Sequence, residues 1–360
     1  MRIGIDAREL CGRPTGVGRY LGGLLNEWAA SGQARAHEFV LYSPEPVAVG
    51  RCFATRLVPG PGGTWWEQVR MPALAARDHL DVFFAPAYTA PLFRRVPTVV
   101  TIHDVSFKAH PEWFAARDGI RRRWLSRQAA LGARAVITVS QFSRQEIVRH
   151  FDMAESSIHV IPWGVTPPPA SAAASRGGSN VLYVGSIFNR RHVPDLIRAF
   201  APIARRHPHA SLDIVGDNRS YPPQDLPGAI ALEGLTGRVR WRSWVTDEEL
   251  GALFGGARAF AFLSEYEGLG FPPLEALAAR VPPLLLDTPV ARESCGDAAL
   301  YVSLDDVAGT TLALEQLLFD EAARARVLAA APRVLARYSW PRAARETLDV
   351  LISASSVVEA

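Results

Sequence analysis

Lysine is all but missing from this chain. Lys108 is the only one among 39 basic residues, so the positive charge rests on arginine. A lysine-poor chain rich in arginine and alanine reflects a GC-rich genome as much as a function. With 36 acidic residues and a net charge of +3, nucleic acid is not an expected partner. Cysteine is scarce too. Cys11, Cys52 and Cys295 have no C-x-x-C spacing, which leaves neither a disulfide framework nor a zinc site and makes a reducing cytoplasm the expected compartment. No apolar run approaches the roughly 20 residues needed to span a bilayer, and the opening MRIGIDAREL lacks the apolar core of a signal peptide. The expectation is a soluble protein, at most peripheral to a membrane.

What is present is ordinary globular material. The 360 residues are 48% hydrophobic and 21% charged, enough for two domains of comparable size. Short apolar runs alternate with helical periodicities, the pattern of parallel sheets covered on both faces. Strands are expected at residues 2–7, 38–42, 82–84, 98–103 and 135–139. Helices are expected at 16–30, 66–77 and 111–134, with Ser143 and Glu146 forming a capping box for another. Pro167, Pro168 and Pro169 then lead into ASAAASRGGS, which continues neither periodicity and reads as a linker. The βα alternation restarts with strands at 180–184, 211–215, 258–263 and 283–286. A capping box falls at Thr246 and Glu249, a helix at 272–279, and a helical tail runs from 305 with a break near 339–341. The predicted domains are 1–168 and 180–338, joined by a linker at 169–179 and followed by a last helix at 339–360.

Four segments carry polar groups where open α/β sheets bind ligands. In SEYEGLGFPPLEALA an acidic glycine loop follows a strand and opens a helix, whose N-terminus favours anions. Glu267 and Glu275 lie eight positions apart there, one before the helix and one on its first turn. The plainer reading is a solvated Glu267 and a Glu275 that merely favours the helix dipole. In VGSIFNRRHVP, Arg190 and Arg191 follow a strand and offer bidentate geometry to phosphate oxygens, against the plainer reading of a solvated basic turn. GRPTGVGRY resembles a dinucleotide loop, but Gly12, Gly16 and Gly18 miss the G-x-G-x-x-G spacing, which weakens a nicotinamide-dependent oxidoreductase as the rival function. In TIHD, His103 ends a strand and points into the cleft of such a fold, or else caps a turn.

Taken in order, RIGIDAREL and TGVGRYLGGLL, TIHDVSFKAHPEWF, ITVSQFSRQEI, VIPWGV, VGSIFNRRH, the E-x7-E pair, GDAALYV and YSWPRAARETL resemble glycosyltransferase family 4, retaining enzymes of GT-B fold. The resemblance implies an α/β chain with two Rossmann-like domains facing across a cleft, and a C-terminal helix crossing back to the N-terminal domain. It implies that Arg190 and Arg191 neutralise a sugar nucleotide's diphosphate. Glu267 and His103 would meet the transferred sugar, and Glu275 would hold the ribose. The backbone of Leu269, Gly270 and Phe271 would contact sugar and phosphate, Gly16 would bring its N–H to the diphosphate, and Val245 would flank the base. Transfer would retain anomeric configuration without a metal, since no D-x-D motif is present, and without any cofactor beyond the donor. The TGVGRY, HDVSF and HPEWF segments look most like the mannosyltransferase branch, implying GDP-mannose as donor ahead of UDP-hexoses, and a glycan or lipid-linked acceptor. The helix ARDGIRRRWLSRQ, with Arg117, Arg121, Arg122, Arg123, Trp124 and Leu125, has the composition to lie on an anionic membrane, or to be an ordinary helix with a solvated basic face. The sequence departs from the family at Arg191, usually lysine, at Arg280, commonly glycine, and at Trp163, commonly asparagine.

Overall fold

The structure is a computed structural model and describes residues 1–12, 15–93, 95–168 and 178–356, the side chains of 116–118 excepted. The linker read at 169–179 therefore lies outside the described residues up to position 177. The chain divides into two compact units. One comprises Met1–Pro111, Ala116–Gly164 and Tyr338–Ala360; the other comprises Glu112–Ala115 and Val165–Arg337.

The first unit is built on a seven-stranded sheet in the order β3-β2-β1-β4-β5-β6-β7. Its strands are β1 (Arg2–Asp6), β2 (Glu38–Ser43), β3 (Ala54–Leu57), β4 (Val82–Ala85), β5 (Thr98–Thr101), β6 (Ala135–Thr138) and β7 (Ile158–Val160). The second holds a six-stranded sheet, β10-β9-β8-β11-β12-β13. These strands are β8 (Ser179–Val184), β9 (Ala210–Val215), β10 (Val239–Arg242), β11 (Ala259–Phe262), β12 (Pro283–Leu286) and β13 (Leu300–Val302). Every ladder is parallel. Central strands such as VFFA, TVVT, AVIT, AFAF and PLLL are buried at every position, as a sheet covered on both faces requires.

Helix starts follow local capping chemistry. Thr15 accepts from the Gly18 amide and opens the helix Gly16–Ala30, and Thr246 with Glu249 forms the expected reciprocal box. The box expected at Ser143 and Glu146 is corrected. The helix is Gln141–Phe151, its cap is Ser140, and Ser143 turns its hydroxyl to the His103 carbonyl at 3.0 Å. The strand expected to reach residue 103 stops at Thr101.

The last helix, Trp340–Ser355, lies against Gly16–Ala30 and against β4, β5 and β6 of the first unit. Two glycines admit its leading side chain. A Cβ on Gly23 would sit 2.4 Å from the Trp340 ring, and one on Gly164 would sit 2.1 Å from it. Trp28 donates from Nε1 to the Ala344 carbonyl at 2.9 Å. The fold is thus the two-sheet α/β architecture expected, with the C-terminal helix returned to the N-terminal unit.

Candidate functional site

The strand order of the second sheet reverses between β8 and β11, and crevices form beyond the C-terminal ends of strands at such a point. The loops that leave β8 and β11 carry the arginine pair and Glu267. Neighbouring backbone is close here: a Cβ on Gly216, whose φ is 155°, would lie 1.9 Å from the Gly185 carbonyl oxygen. Arg190 and Arg191 occupy the short turn Asn189–Arg191, and each is only 9% exposed, so this is no solvated basic turn.

The two guanidiniums have different partners. Arg191 donates from Nε to Glu267 Oε1 at 2.7 Å and from Nη1 to the Ser186 carbonyl at 2.7 Å, and its Nη2 also lies 2.7 Å from Glu267. Its guanidinium stacks over Phe262 at 4.8 Å. Arg190 donates from Nε to the Tyr266 carbonyl at 3.0 Å and stacks over Phe188 at 4.5 Å. Its Nη2 is 3.8 Å from Glu267, beyond hydrogen-bond reach. Trp113, from the short Glu112–Ala115 segment of this unit, lies 6.0 Å from the same guanidinium and edge-on to Tyr266 at 6.3 Å.

Glu267 also accepts from Ser264 Oγ at 2.8 Å. It lines a small cavity with Ser264, Leu269, Gly270, Pro273 and Ser294. Gly270 has a φ of 78°, a left-handed conformation natural to glycine, and caps the helix Phe271–Ala278. The expected anion cradle differs in composition from a standard helix start. Pro272 and Pro273 carry no N–H, so two of the usual free donors are missing from the first turn. The amides of Leu269 and Gly270, just before the helix, donate to no protein group among the described residues. Glu275 was expected on the first turn. Because the helix opens at Phe271, Glu275 is its fifth residue, buried at 8% exposure, and it does not line the Glu267 cavity. Val245 is buried beside the Thr246 cap, between β10 and Asp247–Gly256. Arg280, where the resemblance leads one to expect glycine, has a φ of 62°, which explains the usual glycine.

In the first unit the order reverses between β1 and β4. Gly16 is exposed at the start of its helix, and a Cβ there would meet nothing within 4 Å, so protein packing does not demand the glycine. Arg13 and Pro14 of the same loop lie outside the described residues. His103 is 5% exposed, ringed by Tyr20, Tyr88 and Trp163 at centroid distances of 5.2, 5.3 and 5.1 Å. Its Nε2 is 2.7 Å from the Pro86 carbonyl, an acceptor only, so Nε2 carries the proton and Nδ1 is left an acceptor with no hydrogen-bond partner. Burial lowers its pKa to about 4, so the ring is neutral at pH 7. The Trp163 departure therefore serves packing around His103 and Tyr20, on which it stacks at 5.0 Å.

Sequence reasoning missed other charged groups at these strand ends. Asp6 and Glu67 are 3% and 2% exposed, and both contact Arg8, at 3.1 and 2.9 Å. Burial above all, opposed by Arg8 and reinforced by Glu67, raises the Asp6 pKa to about 6. His192 and Glu265, beside the arginine turn and Glu267, were also passed over. Their signal was the density of ionisable residues in NRRH and SEYE, not any single spacing. Among the described residues no three His, Cys, Asp or Glu side chains gather to hold a metal ion, and no helix is long and apolar enough to cross a membrane.

Two family models match the chain: Glycosyltransferase Family 4 over residues 14–167 and Glycosyl transferases group 1 over residues 171–334. O-antigen chain mannosyltransferase B of Escherichia coli is 28% identical over 295 residues, which are 78% of this chain and 76% of that protein. A glycogen synthase of Mycobacterium tuberculosis is 29% identical over 282 residues, covering 75% of this chain and 66% of its own length. Sucrose-phosphate synthase from Thermosynechococcus elongatus superposes with a TM-score of 0.79 at 17% identity, covering 98% of each chain, a likeness of fold. The architecture is that of the GT-B glycosyltransferases.

Proposed function

The chain belongs to the glycosyltransferases of family 4, and on that premise we propose that it moves a mannosyl group from GDP-mannose to a hydroxyl of a glycan or lipid-linked acceptor, with retention at the anomeric carbon. The observation that carries this reading is the pair of buried arginines at the switch point of the second sheet, beside Glu267 and the two unengaged amides of Leu269 and Gly270. A diphosphate is the ligand whose charge and acceptor atoms match that set. Mannose is supported by the E. coli relative's own reaction and by the branch that the N-terminal motifs resemble.

As the glycosidic bond breaks, negative charge builds on the departing diphosphate and positive charge on the sugar ring. Arg190 and the loop amides face the first. Glu267, fixed by Arg191 and Ser264, holds hydroxyls of the sugar. The acceptor hydroxyl attacks from the face the diphosphate leaves, and a diphosphate oxygen takes its proton, so no protein nucleophile is required. Preorganised donors of this kind act without reorganising during the reaction. Neutral His103 stands against the sugar as part of the aromatic cluster of Tyr20, Tyr88 and Trp163, and the exposed Gly16 amide at a helix start suits a phosphate oxygen. Glu275 and Val245 line the ribose and base end. The nicotinamide rival has no support left, since GRPTGVGRY falls within the family 4 match from residue 14 onward.

The acceptor side includes a surface. In the helix Ala116–Leu131 the expected apolar pair divides: Leu125 is buried, while Trp124 is 56% exposed on the same face as Ile120 at 60%. Arg121 and Arg122 flank them, with Arg122 also over the Tyr88 ring at 5.4 Å. Exposed aromatic and aliphatic groups among arginines suit an anionic membrane carrying a lipid-linked acceptor.

A thermal-shift panel of GDP, UDP and ADP, followed by transfer assays with GDP-mannose and UDP-glucose, tests the donor. Stabilisation by GDP above the others, with mannosyl transfer from GDP-mannose and an α-linked product, is expected. Selective stabilisation by UDP or ADP overturns the donor, and an inverted product overturns retention.

A further inference from the structure

His192 lies between the loops that hold Arg190 and Glu267, and the mechanism above does not use it. It follows the Asn189–Arg191 turn with a φ of 45°, a left-handed conformation that side-chain-bearing residues adopt only when contacts enforce it. Those contacts are polar and come from two elements. Nδ1 is 3.0 Å from Asp195 Oδ2, on the helix Val193–Arg206, and Nε2 is 2.5 Å from Glu265 Oε1, on the loop after β11. Ionised carboxylates only accept, so both ring nitrogens carry protons and the ring is an imidazolium. Burial opposes that charge, but the bonds to Asp195 and Glu265 and their charges outweigh it and raise the pKa above its ordinary 6.5. The other charges nearby are Arg190 and Arg191 in the turn and Arg198, which pairs with Asp195.

The same two loops are tied by three further links. The Glu265 amide donates to the Arg190 carbonyl at 2.9 Å, Arg190 Nε donates to Tyr266, and Arg191 pairs with Glu267. Among the four, the histidine link is the one whose donor is an imidazolium, able to give up its proton as pH rises through its raised pKa. We propose that His192 is a positioning residue for the transfer: by holding Glu265 to Asp195 it fixes the spacing between the arginine turn and the Glu267 loop, and so the register of diphosphate and sugar. This rests on the donor site proposed above. A neutral imidazole has one donor and loses one of the two bonds, so the clamp is whole at low pH and fails as pH rises through the raised pKa. A misplaced catalytic group costs about 10²-fold for an ångström of error.

The test uses the full chain with His192→Gln and Glu265→Gln, and kcat and KM for GDP-mannose (or the donor selected by the panel above) across pH. The wild type is expected to lose turnover on the alkaline side. Each variant is expected to fall about 10-fold or more in kcat, with a smaller change in KM, and to lose that alkaline limb while keeping its thermal midpoint. If His192→Gln does not fold, Glu265→Gln decides alone, since its side chain is partly exposed and keeps its shape. Wild-type turnover with both folded variants within about twofold of it, and an unchanged pH profile, overturns the clamp but leaves the donor reading standing. A wild type that neither turns over a sugar nucleotide nor is stabilised by a nucleoside diphosphate overturns both.

Discussion

Arg190 and Arg191 are adjacent in sequence and alike in burial, yet their hydrogen bonds assign them different tasks. Arg191 spends Nε, Nη1 and Nη2 on Glu267 and the Ser186 carbonyl, whereas Arg190 commits only Nε and keeps both terminal nitrogens out of hydrogen bonds among the described residues. Arg190 is therefore the better candidate to touch the diphosphate, and Arg191 the one that holds Glu267. Removing one preorganised donor typically lowers turnover about 10²–10³-fold, roughly 2.7–4 kcal/mol. Arg190→Ala is expected to lose that much kcat with a modest fall in stability. Glu267→Ala is expected to lose similar turnover and also to destabilise the second unit by about 3 kcal/mol, because Arg191 is left a buried charge without its carboxylate. Kinetics together with thermal unfolding separates the two patterns, and near-normal kcat in either variant would defeat the site. The sequence showed these residues but not their pairing. An RR pair and an E-x7-E spacing are one-dimensional, and the Arg191–Glu267 contact joins positions 76 apart.

At the scale of elements, the interior strands were legible because a strand buried on both faces must be apolar throughout. The four strands with no such signal, β3, β7, β10 and β13, are the edges of the two sheets; β7, β10 and β13 mix buried with exposed or half-buried positions, and β3 has no buried position at all. Their pairing comes from neighbours, not from their own composition. Capping was legible where reciprocal, at Thr246 and Glu249. It misled where Ser140 and Ser143 competed, since Ser143 is drawn away by the His103 carbonyl. The last helix allows a sharp test. Gly23 and Gly164 both face Trp340 with no room for a methyl group. Gly164→Ala and Gly23→Ala are each expected to cost about 1–3 kcal/mol, the usual range for overpacking, read as a lower denaturant midpoint. An unchanged midpoint would mean that the tryptophan is not seated there.

For the molecule as a whole, the exposed face at Ile120 and Trp124 predicts a partner larger than a sugar nucleotide. Vesicles containing anionic lipid are expected to retain the protein at low salt and release it as salt rises. Trp124→Ala should weaken retention, and Arg121→Ala should do so by about 1 kcal/mol, roughly fivefold. Equal binding to neutral vesicles, or none to either kind, would return this helix to the ordinary solvated role. The return of Trp340–Ser355 to the first unit has a consequence for how the protein is made. Folding on the ribosome ordinarily runs domain by domain from the N-terminus, but here the first unit lacks a wall of its own core until Trp340–Ser355, beyond the whole second unit, has been translated. The early-synthesised sheet must wait, with the surface around Trp28 uncovered, for this sixteen-residue helix to emerge.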